Sequence, residues 1–148
     1  MRNIIKEPNN LLHQKCESVS DFGEAKKICE ELLAVIKSVA RLWNPWLGFA
    51  ANQIGYSKRI IVLRKNKNDY EIMINPIIIE KRFPFPYLER CYSLSGVYLV
   101  KRHLWTKVRY QDLESNWREI VLRGPSAIYQ EIDHIDGILV PNIGIRIL

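Results

Sequence analysis

The sequence predicts an α+β fold: antiparallel strands around a short helix, with one long helix packed outside. Three observations lead there. A long run of helical periodicity stands in the N-terminal third. Segments rich in branched residues dominate the middle of the chain. A short amphipathic segment that opens on Gly124-Pro125 follows them.

The long helix covers residues 21–43. Ala25, Ile28, Leu32, Val35, Ile36 and Val39 recur at helical spacing, with Lys and Glu between them. Ser20 or Asp21 caps its start, and Asn44-Pro45 ends it. Cys29 lies within this helix and reads as packing, since a free cysteine behaves as a small hydrophobe. Cys16 follows an irregular polar stretch and points to no function. RIIVLR (59–64) and EIMINPIII (71–79) then read as strands, with the polar KNKND (65–69) as a hairpin-like turn. Pro76 needs a sheet edge or a bulge. TKVRYQD (106–112) and WREIVLR (117–123) form a second pair around a turn at 113–116. Val108, Tyr110, Ile120 and Leu122 alternate there with charged neighbours, as in a half-buried antiparallel sheet. Gly124-Pro125 opens the short helix, with Pro near its first turn. The tail ILVPNIGIRIL (138–148) reads as an extended strand rather than a third helix.

With 148 residues, 47% of them hydrophobic, the chain is expected to form a single domain over 1–148 with a real core. No window reaches the roughly 18 apolar residues of a membrane span. MRNIIKEPNN has neither an apolar h-region nor a small-residue cleavage site, so no secretory signal is expected. Three cysteines (Cys16, Cys29, Cys91) at irregular spacing are not a disulfide framework. The compartment they fit is the cytoplasm, where a free thiolate can serve as metal ligand or nucleophile. The formal charge is +6, but the basic residues are scattered in sequence. That pattern reads as a solvated surface, with weak attraction to an RNA-rich partner such as the ribosome as the alternative. It predicts no membrane partner and no sequence-specific nucleic acid.

The chemistry concentrates in YQEIDHIDG (129–137). A metal helix of the H-E-x-x-H kind places two histidines on one face and a glutamate beside them. Here Glu131 and His134 hold that spacing, but the first position is Gln130. Two such residues cannot hold a transition metal alone, because catalytic sites usually supply three protein ligands. Among the other candidates, Cys91 in ERCYSLSG is the best thiolate. GFAANQIG (48–55) is small and turn-prone, allows close backbone approach, and offers the Gln53 amide to an oxyanion.

Together these stretches, in this order, resemble the peptide deformylase family. WLGFAANQ (46–53) matches the family's G-x-G-x-A-A-x-Q loop. ERCYS (89–93) matches E-G-C-L-S, and QEIDH (130–134) matches H-E-x-D-H. The resemblance runs from about Ile4 to Val140. It implies a peptide-deformylase-like α+β fold built around a metal-site helix. It also implies hydrolysis of the N-formyl group from the N-terminal formyl-methionine of nascent polypeptides. A divalent metal is implied, ferrous iron first and zinc or nickel next, with Cys91, His134 and Gln130 at the ligand positions. Glu131 falls at the general base. Gln53 and the Tyr92 N–H fall at the oxyanion donors. Gly48 would align the peptide as an added strand, with Leu47, Phe49, Ser126 and Ala127 around the methionine. Glu89 and Arg102 match an ion pair beneath the metal loop, with no direct catalytic part.

This chain departs from the pattern at four positions. Trp46 and Arg90 stand where the family has glycine, and Tyr92 where it has leucine. Gln130 is the serious change, since a neutral amide oxygen is a weaker donor than imidazole for these metals. Weakened or absent metal binding is therefore expected. Three outcomes stay open on these residues. The chain is a deformylase with altered metal preference, or a homologue that keeps the fold and a peptide groove without turnover, or a different metal-assisted hydrolase. Some deformylases carry a C-terminal basic helix that docks to the ribosome. This sequence stops 14 residues past His134 without one, so transient ribosome contact is expected to use another basic surface or plain diffusion.

Overall fold

The computed structural model describes residues 2–41, 44 and 46–148. The long helix, α1 (Phe22–Val39), starts where Asp21 caps it: one carboxylate oxygen accepts from the N–H groups of Gly23 and Glu24, at 3.0 and 3.1 Å. It stops at Val39, short of the expected residue 43. The Asn44 side-chain amide reaches back to the Val39 carbonyl, satisfying one of the orphan acceptors of the last turn. Trp43 and Pro45, part of the expected end, lie outside the described residues.

A short strand β1 (Gly48–Ala50) follows and leads into a 3-10 turn over Ala51–Ile54. Then come β2 (Ile60–Asn66), β3 (Asp69–Glu89), β4 (Tyr98–Gln111) and β5 (Trp117–Arg123). The short helix is α2 (Ile128–Ile135). The tail departs from the expected strand. Val140–Ile143 form a helical turn, α3, with Pro near its start, and only Ile145–Arg146 pair as β6. The sheet is antiparallel in the order β1-β2-β3-β4-β5, with β6 added to β4.

β3 runs ten residues beyond the expected end at 79. β2 pairs with it only as far as Ile74, so from there β4 is its partner on one side alone. Pro84 and Pro86 sit two apart on this stretch, where a missing N–H costs no ladder bond. Pro76 falls in the register shift between Ile74 and Ile77.

The two faces of the sheet are filled differently. α1 lays Ile28, Leu32 and Ile36 on the outer face at Ile60, Val62 and Ile74, in one cluster that also takes Cys29. α2 lies on the inner face, where Ile128, Tyr129 and Ile135 meet Ile61, Leu63, Met73, Val108, Tyr110 and Cys16. Each fully buried Leu or Ile contributes about 1.5–3 kcal/mol. α2 is thus a two-turn helix fixed by its surroundings rather than by its own length.

Candidate active site

Three segments meet where α2 crosses the end of β1. β1 presents Gly48 and, through the 3-10 turn, Gln53. The loop after β3 presents Cys91. α2 presents Gln130, Glu131 and His134. All six line one small cavity of about 50 Å³. The Cys91 Sγ lies 3.2 Å from the His134 Nε2. The Gln53 Oε1 accepts from the Ala50 N–H at 2.9 Å, which turns its amide nitrogen toward Cys91 Sγ (3.7 Å) and Ser93 Oγ (3.2 Å). Gly48 is a glycine for a local reason: a Cβ there would stand 2.8 Å from both Cγ and Oε2 of Glu131. Gln130 faces the cavity, but its amide nitrogen donates to the Arg90 carbonyl at 2.9 Å.

Beneath the cavity a buried ion network holds the floor. Arg102 grips Glu89 with two parallel bonds of 2.7 and 2.9 Å and reaches Asp133 at 2.8 Å. It also lies over the Tyr129 ring, 5.7 Å from its centroid. Glu89 ends β3 just before Cys91, and Asp133 precedes His134. One guanidinium therefore ties the Cys91 loop to α2. A second tie comes from Asn52, whose side chain donates to the His134 carbonyl at 2.7 Å. At the end of the helix Gly137, with φ of +75°, closes the turn, and a Cβ there would stand 2.7 Å from the His13 carbonyl oxygen.

Burial sets the protonation of the site. Glu131 is 2% exposed. Desolvation first, and then the charges of Glu89 and Asp133, push its carboxyl well above the usual range. Burial pushes the Cys91 thiol up to about 12, against the opposing Ser93 N–H. Burial lowers His134 to about 4, so its imidazole is neutral at pH 7. The Oε1 of Glu131 and the Nδ1 of His134 are buried with no partner among the described residues. A neutral imidazole, a thiol that needs a nearby cation to ionise, and an unsatisfied carboxyl are in kind the donors a divalent ion takes. Bond lengths of about 2.3 Å to sulfur and about 2.0 Å to nitrogen are compatible with the Cys91–His134 separation. Among the described residues no three His, Cys, Asp or Glu side chains stand together as a metal-binding group. Gln130 lines the same cavity and can offer its amide oxygen as a third donor, so the set fits a metal with one weak member.

The remaining expected site residues fall around the cavity. Tyr92 follows Cys91, and its ring packs on Phe49 at 5.3 Å while its hydroxyl accepts from Asn44. Phe49 itself is wholly buried under α1. Ser126 and Ala127 line two larger clefts of about 510 and 400 Å³. Leu47 lines the first of these and Arg90 the second. Trp46, 65% exposed, lines both clefts and the small cavity, so it stands between them as a partition. Sequence reasoning missed Asp133, Asn52 and Ser93. Asp133 was signalled by its place inside E-x-D-H. Nothing in the sequence pairs Asn52 with a carbonyl 82 residues away.

The comparisons with known proteins agree on one family. The polypeptide deformylase family model matches residues 1–143. This chain belongs to that family. A peptide deformylase of Caldanaerobacter subterraneus is 33% identical to it, over 100% of this chain and 92% of the relative. A protein of Brucella melitensis named peptide deformylase-like is 34% identical, over 93% of this chain and 85% of its own length. The crystal structure of a Thermotoga maritima peptide deformylase superposes with a TM-score of 0.85 at 26% identity, covering 97% of both chains. The deformylase fold is thus the observed one, an antiparallel curled sheet with few helices. The deformylase motif segments 46–53, 89–93 and 130–134 are the three that meet at the cavity. Deformylases are hydrolases of protein biosynthesis. Among the described residues no helix is long and apolar enough to cross a membrane.

Proposed function

We propose that this chain, one deformylase domain over 1–148, hydrolyses the N-formyl group from formyl-methionine at the N-terminus of nascent peptides in the cytoplasm. The convergence of Cys91, His134, Glu131 and the Gln53 amide on one cavity at the sheet edge supports the reading most strongly. Cys91, His134 and, weakly, Gln130 would hold a divalent metal, with ferrous iron preferred and zinc or nickel accepted. When bound, such an ion supplies Lewis-acid polarisation and a water that loses its proton near neutral pH.

The protein groups divide the remaining work. Glu131 takes a proton from the attacking water and returns it to the leaving amine; its raised pKa suits both halves of that task. The Gln53 amide, aimed by its bond to Ala50, and the Tyr92 N–H donate to the oxyanion that forms on the formyl carbon. β1 is the terminal strand of the sheet order, so an extended peptide can add along Gly48 by main-chain bonds. The methionine side chain then enters the cleft lined by Leu47, Ser126 and Ala127. The products are formate and the free amine. Glu89 and Arg102 act by positioning the Cys91 loop.

One observation favours a second reading, a homologue that keeps the peptide groove without turnover. The Gln130 amide is bonded to the Arg90 carbonyl, leaving two strong donors. Cobalt titration separates the two. The enzyme reading expects about one equivalent of Co²⁺ and a near-ultraviolet thiolate-to-cobalt band that Cys91→Ser abolishes. No such band, with formyl-peptide binding retained, would establish the second.

Two substitutions sharpen the test. Gln130→His is expected to tighten Co²⁺ binding by roughly 10–100-fold, read by chelator competition, because imidazole replaces an amide oxygen. Gly48→Ala places a methyl 2.8 Å from the Glu131 Cγ and Oε2. It is expected to lower kcat/KM for formate release by roughly 100-fold through misplacement of the base, with cobalt binding unchanged.

A further inference from the structure

We propose that the outer face of β3–β4–β5 is a binding surface for single-stranded RNA. α1 covers this face over β1, β2 and the start of β3 as far as Ile74. Beyond it, the odd-numbered residues of β4 point outward while Val100, Arg102, Thr106, Val108 and Tyr110 are buried. The outward row carries Lys101, Trp105, Lys107 and Arg109. The register sets Arg82 of β3 and Arg123 of β5 on either side of Trp105. The fold thus gathers cations that lie scattered in the sequence.

The acids on the same face are already engaged. Glu80 pairs with Arg82 at 2.7 Å and Glu119 with Lys107 at 3.6 Å. Lys101, Arg109 and Arg123 have no acidic partner among the described residues, so the face keeps a positive surplus. Burial first, and then the charges of Lys81 and Lys101, lower the pKa of the neighbouring His103.

Two cation–ring pairs distinguish this surface from a plain basic patch. The Arg82 guanidinium lies 4.6 Å above the Trp105 ring, and that of Arg109 lies 4.8 Å above Trp117. Trp117 is 48% exposed. Aromatic faces take bases of any sequence, and the outward cations of β4, with Lys107 and Arg109 about 7 Å apart and Lys101 farther along the strand, can contact a phosphate chain. A negatively charged protein or lipid surface would use the cations and leave the rings idle. RNA uses both.

The test is fluorescence anisotropy of a labelled, mixed-sequence single-stranded RNA, between about 50 and 200 mM salt. Wild type is expected to bind, with a log–log salt slope that falls by about 1.4 in Lys101→Ser/Arg109→Ser, at roughly 0.7 per lost phosphate contact. Affinity is expected to drop roughly 10-fold in that variant, and by a further several-fold when Trp117→Ala is added. Lys26→Ser/Lys27→Ser on α1 removes the same charge elsewhere and should change affinity less than about 2-fold. Circular dichroism and melting establish that each variant is folded. Absence of wild-type binding at the low salt would overturn the proposal. So would equal losses in the two charge variants, or binding to anionic lipid vesicles in place of RNA.

Discussion

Glu131→Gln is expected to lower kcat for formate release by roughly 10²–10⁴-fold, the range over which a positioned acid–base group contributes. KM and cobalt stoichiometry should hold, because the amide keeps the shape of the carboxyl and the ligands are untouched. The same substitution should raise the melting temperature. Glu131 is buried with an unpartnered oxygen, and two further carboxyls press on it. A neutral amide removes that burden. A fall in activity together with a gain in stability is the signature of a group kept for chemistry rather than for the fold. Unchanged turnover would remove Glu131 from the reaction.

The second large effect concerns the floor of the site. Arg102→Met is expected to cost about 3–5 kcal/mol, since it leaves the buried Glu89 and the half-buried Asp133 without their cation. For a chain of this length that corresponds to a fall in Tm on the order of 10 °C. Adding Glu89→Gln should return part of the loss, because the partner charge goes as well. Denaturant melts of the three proteins check this. A loss below about 1 kcal/mol would mean that the network behaves as an exposed pair and does not tie the Cys91 loop to α2.

Much of the fold was legible because local signals agreed with the final packing. The periodic apolar face of α1 and its Asp21 cap are written in consecutive residues, and β5 was bounded by the turn at 113–116 and by Gly124-Pro125. β3 was harder. Its prolines argue against a strand unless one knows that β2 has already left that edge, which is a long-range fact. The tail misled because IRIL looks extended, whereas Pro141 starts a helical turn just before it. The candidate site was legible at the motif positions. Its supports were not: Asn52 and Asp133 act through a carbonyl and a guanidinium that the sequence does not place beside them. Scattered cations likewise become a surface only after β3, β4 and β5 align.

The central claim is that a deformylase site with glutamine at one ligand position still turns over. Its most direct test is formate release from a formyl-methionyl tripeptide by protein purified anaerobically and supplied with ferrous iron, nickel, cobalt or zinc. The account predicts metal-dependent turnover that disappears in Glu131→Ala. Folded protein that releases no formate with any of these metals would contradict it.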